Sequence, residues 1–136
     1  MFLYDVLYYS PMTSLMILIA GPYRSGTRNN PEAIAANLTR LEQAAWPLFQ
    51  AGHVPMVGEW VALAVIRSAT SHGGTPGPEG LADEVLYPTA QRLLARCDGV
   101  LRLPGESAGA DQDVATARER GLPVWFRLED VPGCRP

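Results

Sequence analysis

A single α/β domain built on a parallel sheet is the fold class that the sequence predicts. Short apolar runs of strand length alternate with longer segments of helical periodicity, a pattern typical of a parallel sheet with helices on both faces. With 136 residues, 47% of them hydrophobic, the chain can bury one core and is too short for two ordinary domains. We therefore expect a three-layer, Rossmann-like fold with a parallel sheet of four or five strands.

Four apolar runs supply the predicted strands. The run SLMILIAG, closed by Gly21, is typical of a strand buried on both faces. Further strands are predicted in AGHVPMV, entered through Gly52, in DGVLRLPG and in PVWFRL. Because ligands of open parallel sheets bind beyond the carboxyl ends of the strands, the loops after Gly21 and after Leu103 matter most for function.

Four other segments are predicted to be helical. PEAIAANLTRLEQAAW has a capping residue at Asn30 and a proline at its first position, and we expect Pro47 to kink or stop this helix. EWVALAVIRSA is apolar enough for a buried or interface helix. LADEVLYPTAQRLLARC is predicted to be helical with a break near Pro88, and AGADQDVATARERG to be a helix closed by Gly121.

The remaining segments define the limits of the domain. Residues 1–12 are predicted to be an N-terminal extension and residues 13–136 the folded domain. The opening segment lacks a basic start and is interrupted by Asp5 and Pro11, so it fits neither a signal peptide nor a spanning helix, and we expect a cytoplasmic protein. Residues 70–80, TSHGGTPGPEG, have the composition of a flexible loop that can act as a lid.

Charge and metal-ligand content exclude several function classes. The formal net charge is −3, and all eleven Lys and Arg positions are arginines spread along the chain, which disfavours binding of a nucleic-acid polymer. Cys97 and Cys134 lack CxxC spacing, and His53 and His72 are not paired on a helix face, so neither a disulfide framework nor a zinc site is indicated. We expect no metal and no organic cofactor.

The loop GPYRSG after the first strand is suited to a phosphate group. Two glycines expose backbone N–H groups, Arg24 offers a fork-shaped cation, and Ser25 offers a hydroxyl donor. The loop is not a P-loop, because the GxxxxGK[ST] pattern and its lysine are missing. An ordinary strand-to-helix turn with a solvated arginine is the alternative interpretation, and the motif alone does not choose between the two.

The second important segment carries a resemblance to a known family. CDGVLRLPGESAGADQDVATARERGLPVW, taken with IAGPYRSG and AGHVPMV, resembles the nucleoside 2-deoxyribosyltransferase superfamily, including its nucleotide 5′-monophosphate N-glycosidase branch and related uncharacterised small proteins. The resemblance covers roughly residues 16–128. Its strongest part is an S-x-G-x-x-x-carboxylate-x-x-x-A motif, here Ser107, Gly109, Asp113 and Ala117.

The resemblance implies an activity and a set of site residues. In the family, the acid matched by Asp113 attacks the anomeric carbon of the ribosyl group, and water or a second base then resolves the glycosyl ester. The reaction needs a carboxylate kept ionised at the start of a helix and a second group that protonates the departing base. A serine matched by Ser107 is typical of the monophosphate hydrolases, whereas the transferases of free nucleosides have an acid there. The implied substrate-binding residues are Gly21, Tyr23, Arg24, Ser25 and Gly26, with Gly105, Ser107 and Gly109.

The chain departs from the family at the nucleophile. The usual residue is glutamate, and Asp113 is one methylene shorter. Misplacement of a reacting group by on the order of 1 Å can cost about 100-fold in rate unless the backbone compensates. Asp111 is a possible substitute, although it falls out of register with the motif.

A second departure concerns the acid that protonates the base. The family tends to carry an aspartate in the preceding helix, where this chain has Ala90 or Gln91. Glu59, directly after the second strand, is our candidate for the missing acid, and Asp83 and Glu84 are alternatives. Plain helix capping is the competing interpretation of Glu59.

Three function classes stay open. The first is an N-glycosidase or related deoxyribosyltransferase, the second a non-catalytic nucleotide or ribosyl-phosphate binding module, and the third an interaction protein in which EWVALAVI forms a dimer face. The altered positions Asp113 and Ala90 separate the first two classes. The expected partner is a small-molecule nucleotide or nucleoside, and we expect no association with a membrane. A homo-oligomer is expected because family members commonly complete their pocket from a neighbouring subunit and the apolar run after Glu59 requires burial.

Overall fold

The computed structural model describes residues 13–73 and 77–134, so the expected extension over residues 1–12 lies outside the described residues. Four parallel strands form one sheet in the order β2-β1-β3-β4, with helices on both faces. The α/β fold is confirmed, with the smaller of the two expected strand numbers. The strands are β1 (Met16–Ala20), β2 (Val54–Val57), β3 (Gly99–Arg102) and β4 (Val124–Trp125). The helices are α1 (Pro31–Glu42), α2 (Ala45–Gln50), α3 (Gly58–Ser71), α4 (Gly77–Leu94) and α5 (Ala108–Glu119), followed by a 3-10 turn at Leu128–Asp130.

Strand β1 is central and determines where a ligand can bind. It pairs in parallel with β2 on one side and β3 on the other, so that Ile17 is in register with both Pro55 and Gly99. The chain leaves β1 toward one edge of the sheet and leaves β3 toward the opposite edge. A crevice between neighbouring strands of this kind, at their carboxyl ends, is the usual ligand site of open α/β sheets.

The alternation of side chains along β1 supplies two cores. Successive side chains of a strand point to opposite faces, and the four residues Ile17–Ala20 are all buried. Ile17 and Ile19 belong to one cluster, with Leu41 of α1 and Leu48 of α2. The opposite cluster contains Leu18, Ala20, Leu94, Val100, Ala110 and Ala117.

The start of β1 is tied to two distant segments. The N–H of Leu15 donates to Nδ1 of the buried His53 at 3.1 Å, and Nε2 of the same ring lies 2.7 Å from the carbonyl oxygen of Pro132. Because Nδ1 accepts, the ring proton is on Nε2, which donates to that carbonyl. The carboxylate of Asp98 accepts from the N–H of Met16 at 2.8 Å. His53 and Asp98 therefore have structural roles at the amino end of the sheet.

The first helix begins as expected and ends earlier. The side-chain oxygen of Asn30 accepts from the N–H groups of Glu32 and Ala33 at 2.9 and 3.1 Å. Helix α1 ends at Glu42, well before Pro47, which lies in the first turn of the separate helix α2. The expectation that Pro47 kinks or stops the first helix was wrong, because the first turn of a helix needs no proline N–H.

Two further expectations differ from the structure. Helix α4 runs through Pro88 without a break. The missing proline N–H costs one helical hydrogen bond, which the packing of α4 against α3 and α5 offsets. The loop expected over residues 70–80 is shorter, since α3 continues to Ser71 and α4 begins at Gly77. Residues 74–76 of the expected lid lie outside the described residues.

Candidate active site

A pocket of about 260 Å³ opens at the carboxyl ends of the strands, on the crevice beside β1. Its walls come from the loop after β1, the first turn of α3, the middle of α4 and the amino-terminal half of α5. This volume lies just below the usual range for small-molecule pockets, which begins at about 300 Å³. The pocket therefore lies where the topology predicts a ligand.

The pocket brings together most of the residues named from the sequence. Gly26 and Gly105 are the exceptions, because they line a neighbouring depression over the loops that follow β1 and β3. Ser25 borders both cavities and joins them. The predicted residues that line the pocket are Gly21, Tyr23, Arg24, Ser25, Glu59, Ser107, Gly109 and Asp113.

Side-chain hydrogen bonds hold the loop after β1 in shape. The guanidinium of Arg24 donates to the side-chain oxygen of Asn29 at 2.6 Å, and the hydroxyl of Thr27 donates to the carbonyl of Arg24 at 2.6 Å. The amide of Asn37 in α1 donates to the carbonyl of Tyr23 at 2.8 Å. Arg24 is thereby positioned by its neighbours at the pocket wall, as a preorganised anion site requires.

Helix α5 begins at the pocket with a capping serine. The hydroxyl oxygen of the buried Ser107 accepts from the N–H of Ala110 at 3.1 Å, which leaves the hydroxyl hydrogen available to donate. Gly109, in the first turn, lies against the ring of Tyr87. A Cβ at this position would lie 3.3 Å from Cε1 of that ring, so the absence of a side chain lets the tyrosine close the wall.

Asp113 is the buried carboxyl of the pocket. It lies in the second turn of α5 with 8% of its surface exposed. Burial raises its pKa to about 7, the negative charge of Glu59 contributes in the same direction, and the Arg102 guanidinium opposes both. The first turn of α5 holds Asp111, so Asp113 is not at the start of the helix as the sequence had indicated.

Glu59 is the second carboxyl that lines the pocket. It lies in the first turn of α3, whose N-cap residue, Val57, provides no side-chain cap. Burial raises the pKa of Glu59, and a hydrogen bond from its own backbone N–H opposes the increase. The pKa of Tyr23 is raised by burial and then by Glu59, while Arg24 lowers it. Glu59 thus faces both the pocket and the helix terminus, so helix capping and a role in the pocket are compatible.

Arg102 does not line the pocket, but its charge lowers the pKa of Asp113, an influence on the site that the sequence analysis did not identify. It ends β3 as a buried arginine, and its guanidinium donates to the carbonyl of Leu103 and, at 2.8 Å, to the carboxylate of Asp111. A charged residue inside the apolar run GVLRL was the available signal. Asp111 pairs with Arg102 and does not line the pocket, so its candidacy as a substitute nucleophile has no structural basis.

The other candidate acids lie outside the pocket. Ala90 of α4 lines the wall, whereas Gln91 accepts a hydrogen bond from the hydroxyl of Thr116 at 3.2 Å. Glu84 is exposed and does not line the pocket. The side chain of Asp83 lies outside the described residues. Among the described side chains, Glu59 is consequently the carboxyl that shares the pocket with Asp113.

Comparison with protein-family models and with curated proteins found no match to this chain. The resemblance to the deoxyribosyltransferase superfamily therefore stays a prediction. In residues 13–73 and 77–134, no group of three or more His, Cys, Asp or Glu side chains is arranged to hold a metal ion. Over the same ranges, no helix combines the length and the apolar character needed to cross a bilayer.

Proposed function

We propose that the chain is a cytoplasmic enzyme that cleaves the N-glycosidic bond of nucleoside 5′-monophosphates through a glycosyl-enzyme ester, or a closely related deoxyribosyltransferase. The observation that carries this proposal is the pair of carboxyls, Asp113 and Glu59, on one pocket at the carboxyl end of a parallel sheet. Burial and the negative charge of Glu59 raise the pKa of Asp113 to about 7, which favours a state with one carboxylate and one protonated carboxyl near neutral pH. Double displacement at a sugar carbon requires one group in each state.

A second group of residues on the same pocket is suited to a phosphate. Arg24 and Ser25 border the pocket from the loop after β1, and the Ser107 hydroxyl can donate from the start of α5. The amino terminus of a helix favours an anion through its free N–H groups and its dipole. An acid at position 107 would repel a phosphate, whereas the serine hydroxyl can donate a hydrogen bond to it. Serine at this position therefore favours a nucleoside monophosphate over an unphosphorylated nucleoside as the substrate.

The proposal is tested by measuring base release. The purified chain is incubated with ribo- and 2′-deoxyribonucleoside 5′-monophosphates and with the matching nucleosides, and the free base is quantified by chromatography. We expect release from monophosphates, loss of release in Asp113→Ala, and normal release in Glu84→Gln, whose altered side chain is exposed outside the pocket. No release from any compound would contradict the proposal.

A non-catalytic nucleotide-binding module is the second candidate. The specific observation in its favour is Ala90, which lines the pocket where the resemblance implies an aspartate. Such a module would bind the same nucleotides through Arg24 and Ser107 without cutting them. Its signature is an increase in melting temperature with nucleoside monophosphates in the absence of any base release.

A homo-oligomer is part of the proposal. Trp60, Val61 and Val65 are all exposed, at 38%, 38% and 44%, and they lie on α3, the helix that carries Glu59. Apolar surface of this kind favours association. A second chain packed on α3 would stabilise the helix that holds Glu59. Sedimentation velocity on the unaltered chain and on the Val65→Arg variant tests this. We expect the unaltered chain to be an oligomer and the variant to be a monomer.

A further inference from the structure

We propose that Glu59 is the carboxylate that attacks the sugar and that Asp113 is the acid that protonates the departing base. This division reverses the role that the resemblance implies for Asp113. It rests on the proposed N-glycosidase function, because it assigns the two carboxyls of that same pocket. The basis is the position of each group relative to its helix and its charged neighbours.

Burial raises the pKa of Glu59, and two features of its position oppose that effect. Glu59 lies in the first turn of α3, a helix of 14 residues, where the free N–H groups and the dipole favour a negative charge. Val57, the N-cap residue, leaves those N–H groups without a side-chain acceptor, and the N–H of Glu59 itself donates to its carboxylate. The pKa of Asp113 is raised to about 7 partly by the negative charge of Glu59, so Glu59 is the carboxyl of the pair that ionises first and can act as the nucleophile.

The position of Asp113 stabilises its protonated form. It lies one turn further into α5, beyond the N–H groups of the first turn, and Ser107 already caps that helix. With 8% of its surface exposed, the carboxyl has little water to solvate a charge. Burial and the charge of Glu59 raise its pKa to about 7, which suits a general acid that works near neutral pH.

The surrounding charges are consistent with this division. The titratable or charged described side chains that affect Asp113 or share its pocket come from four elements. Arg102 of β3 lowers the pKa of Asp113, but burial and Glu59 outweigh it. Burial raises the pKa of Tyr23 above its ordinary value, so this side chain is neutral near pH 7. The groups are Glu59 of α3, Arg102 of β3, Tyr23 and Arg24 of the loop after β1, and Tyr87 of α4.

The reaction balances with these two groups and water. A carboxylate oxygen of Glu59 forms a bond to C1′ as the bond from C1′ to the base nitrogen breaks, and the electron pair leaves with the base. The proton of Asp113 passes to the base, which departs neutral, and Asp113 becomes a carboxylate. Asp113 then takes a proton from water as the water oxygen attacks C1′, which breaks the ester to Glu59 and releases ribosyl 5-phosphate.

Covalent trapping on the unaltered chain tests the assignment directly. When the substrate is a nucleoside monophosphate with fluorine at C2′, the fluorine should slow hydrolysis of the glycosyl ester. The reaction is then quenched with acid, the chain is digested after arginine, and the peptide that carries the sugar-phosphate adduct is identified by mass spectrometry. Arg40 and Arg67 flank the peptide with Glu59, whereas Arg102 and Arg118 flank the peptide with Asp113. An adduct on Glu59 supports the proposal, and an adduct on Asp113 overturns it.

Leaving-group dependence provides a second test. A nucleotide with an N7-methylated purine leaves as a neutral base without a proton, so it does not need the acid. We expect the Asp113→Asn variant to release the base from the ordinary nucleotide more slowly by about 100-fold or more. The same variant should cleave the methylated nucleotide at nearly the normal rate. Glu59→Gln should lose both reactions. The opposite pattern would overturn the assignment and keep the N-glycosidase, whereas no release by the unaltered chain from either nucleotide would overturn both proposals.

Discussion

Arg102 and Asp111 form an ion pair of 2.8 Å in which the guanidinium is nearly buried and the carboxylate is largely exposed to solvent. Two residues further along α5, Asp113 faces the pocket instead. The ion pair thus holds in place a positive charge that lowers the pKa of Asp113 against the opposing effects of burial and Glu59. A surface carboxylate and a pocket carboxyl are linked through one arginine.

Asp111→Ala tests this link. Removal of the exposed carboxylate leaves the positive charge of Arg102 less neutralised, so we expect a lower pKa for Asp113 and a loss of about 1 kcal/mol in the free energy of unfolding. Carboxyl resonances followed by NMR against pH report the first effect, and urea denaturation reports the second. Glu106→Ala is the matched control, and an unchanged titration of Asp113 would show that the pair does not act on the pocket.

Asp113→Asn should stabilise the chain in a pH-dependent manner. A carboxyl whose pKa is raised on folding contributes its stabilisation below its unfolded pKa and loses it as the pH rises through the folded pKa. The difference between 3.8 and about 7 corresponds to about 4 kcal/mol. Relative to the unaltered chain, the variant should gain stability between about pH 4 and pH 8, as urea denaturation at several pH values would show. Asp130→Asn, at an exposed position, should give no such trend.

Ala90→Asp places a third carboxyl on the pocket wall. Like charges at short distance favour the protonated forms, so we expect the pKa of Asp113 to rise further and the chain to lose stability at pH 8 relative to pH 4. Thermal unfolding at both pH values measures the effect. The control variant Ala95→Asp, at an exposed position, should show the same small change in stability at both pH values. If the two variants behave alike, the side chain at position 90 does not reach Asp113 and Glu59.

His53→Phe tests the connection at the amino end of the sheet. The substitution keeps a buried ring and leaves the N–H of Leu15 and the carbonyl of Pro132 without their partner. Each unsatisfied buried group costs about 1–3 kcal/mol, so we expect a loss of about 3 kcal/mol in the free energy of unfolding by urea denaturation. His72→Phe, on the exposed end of α3, is the control and should cost far less.

The sequence predicted the fold well because its signals are local. The apolar run of β1, the cap at Asn30 and the turn at Gly121 each appear within a few neighbouring residues. Besides the loop over residues 70–80, which is shorter than expected, the failures concern Pro47 and Pro88, whose effects depend on where the helix begins or on what it packs against. Residue type alone does not contain that information.

Most of the residues predicted for the site line one pocket, whereas the electrostatics of that pocket could not be predicted. Asp113 and Glu59 were named from a motif and from the end of a strand, and the structure places both on one pocket. The burial of Asp113, the proximity of the two charges and the contribution of Arg102 arise from contacts between β3, α3 and α5. Such contacts depend on packing that no local pattern encodes.

The parallel pairing of β1 also has a consequence for the order of folding. Its partner residues lie far along the chain, since Ile17 pairs with both Pro55 and Gly99. Contacts between residues so distant in sequence must close long loops, and they are typical of slow folding. On the ribosome, β1 must wait for most of the chain before its second edge is covered, and the pocket cannot form until Asp113 has emerged. The apolar strand β1 therefore keeps one edge unpaired until β3 has been synthesised, and an unpaired strand edge is a site at which incompletely folded chains can associate.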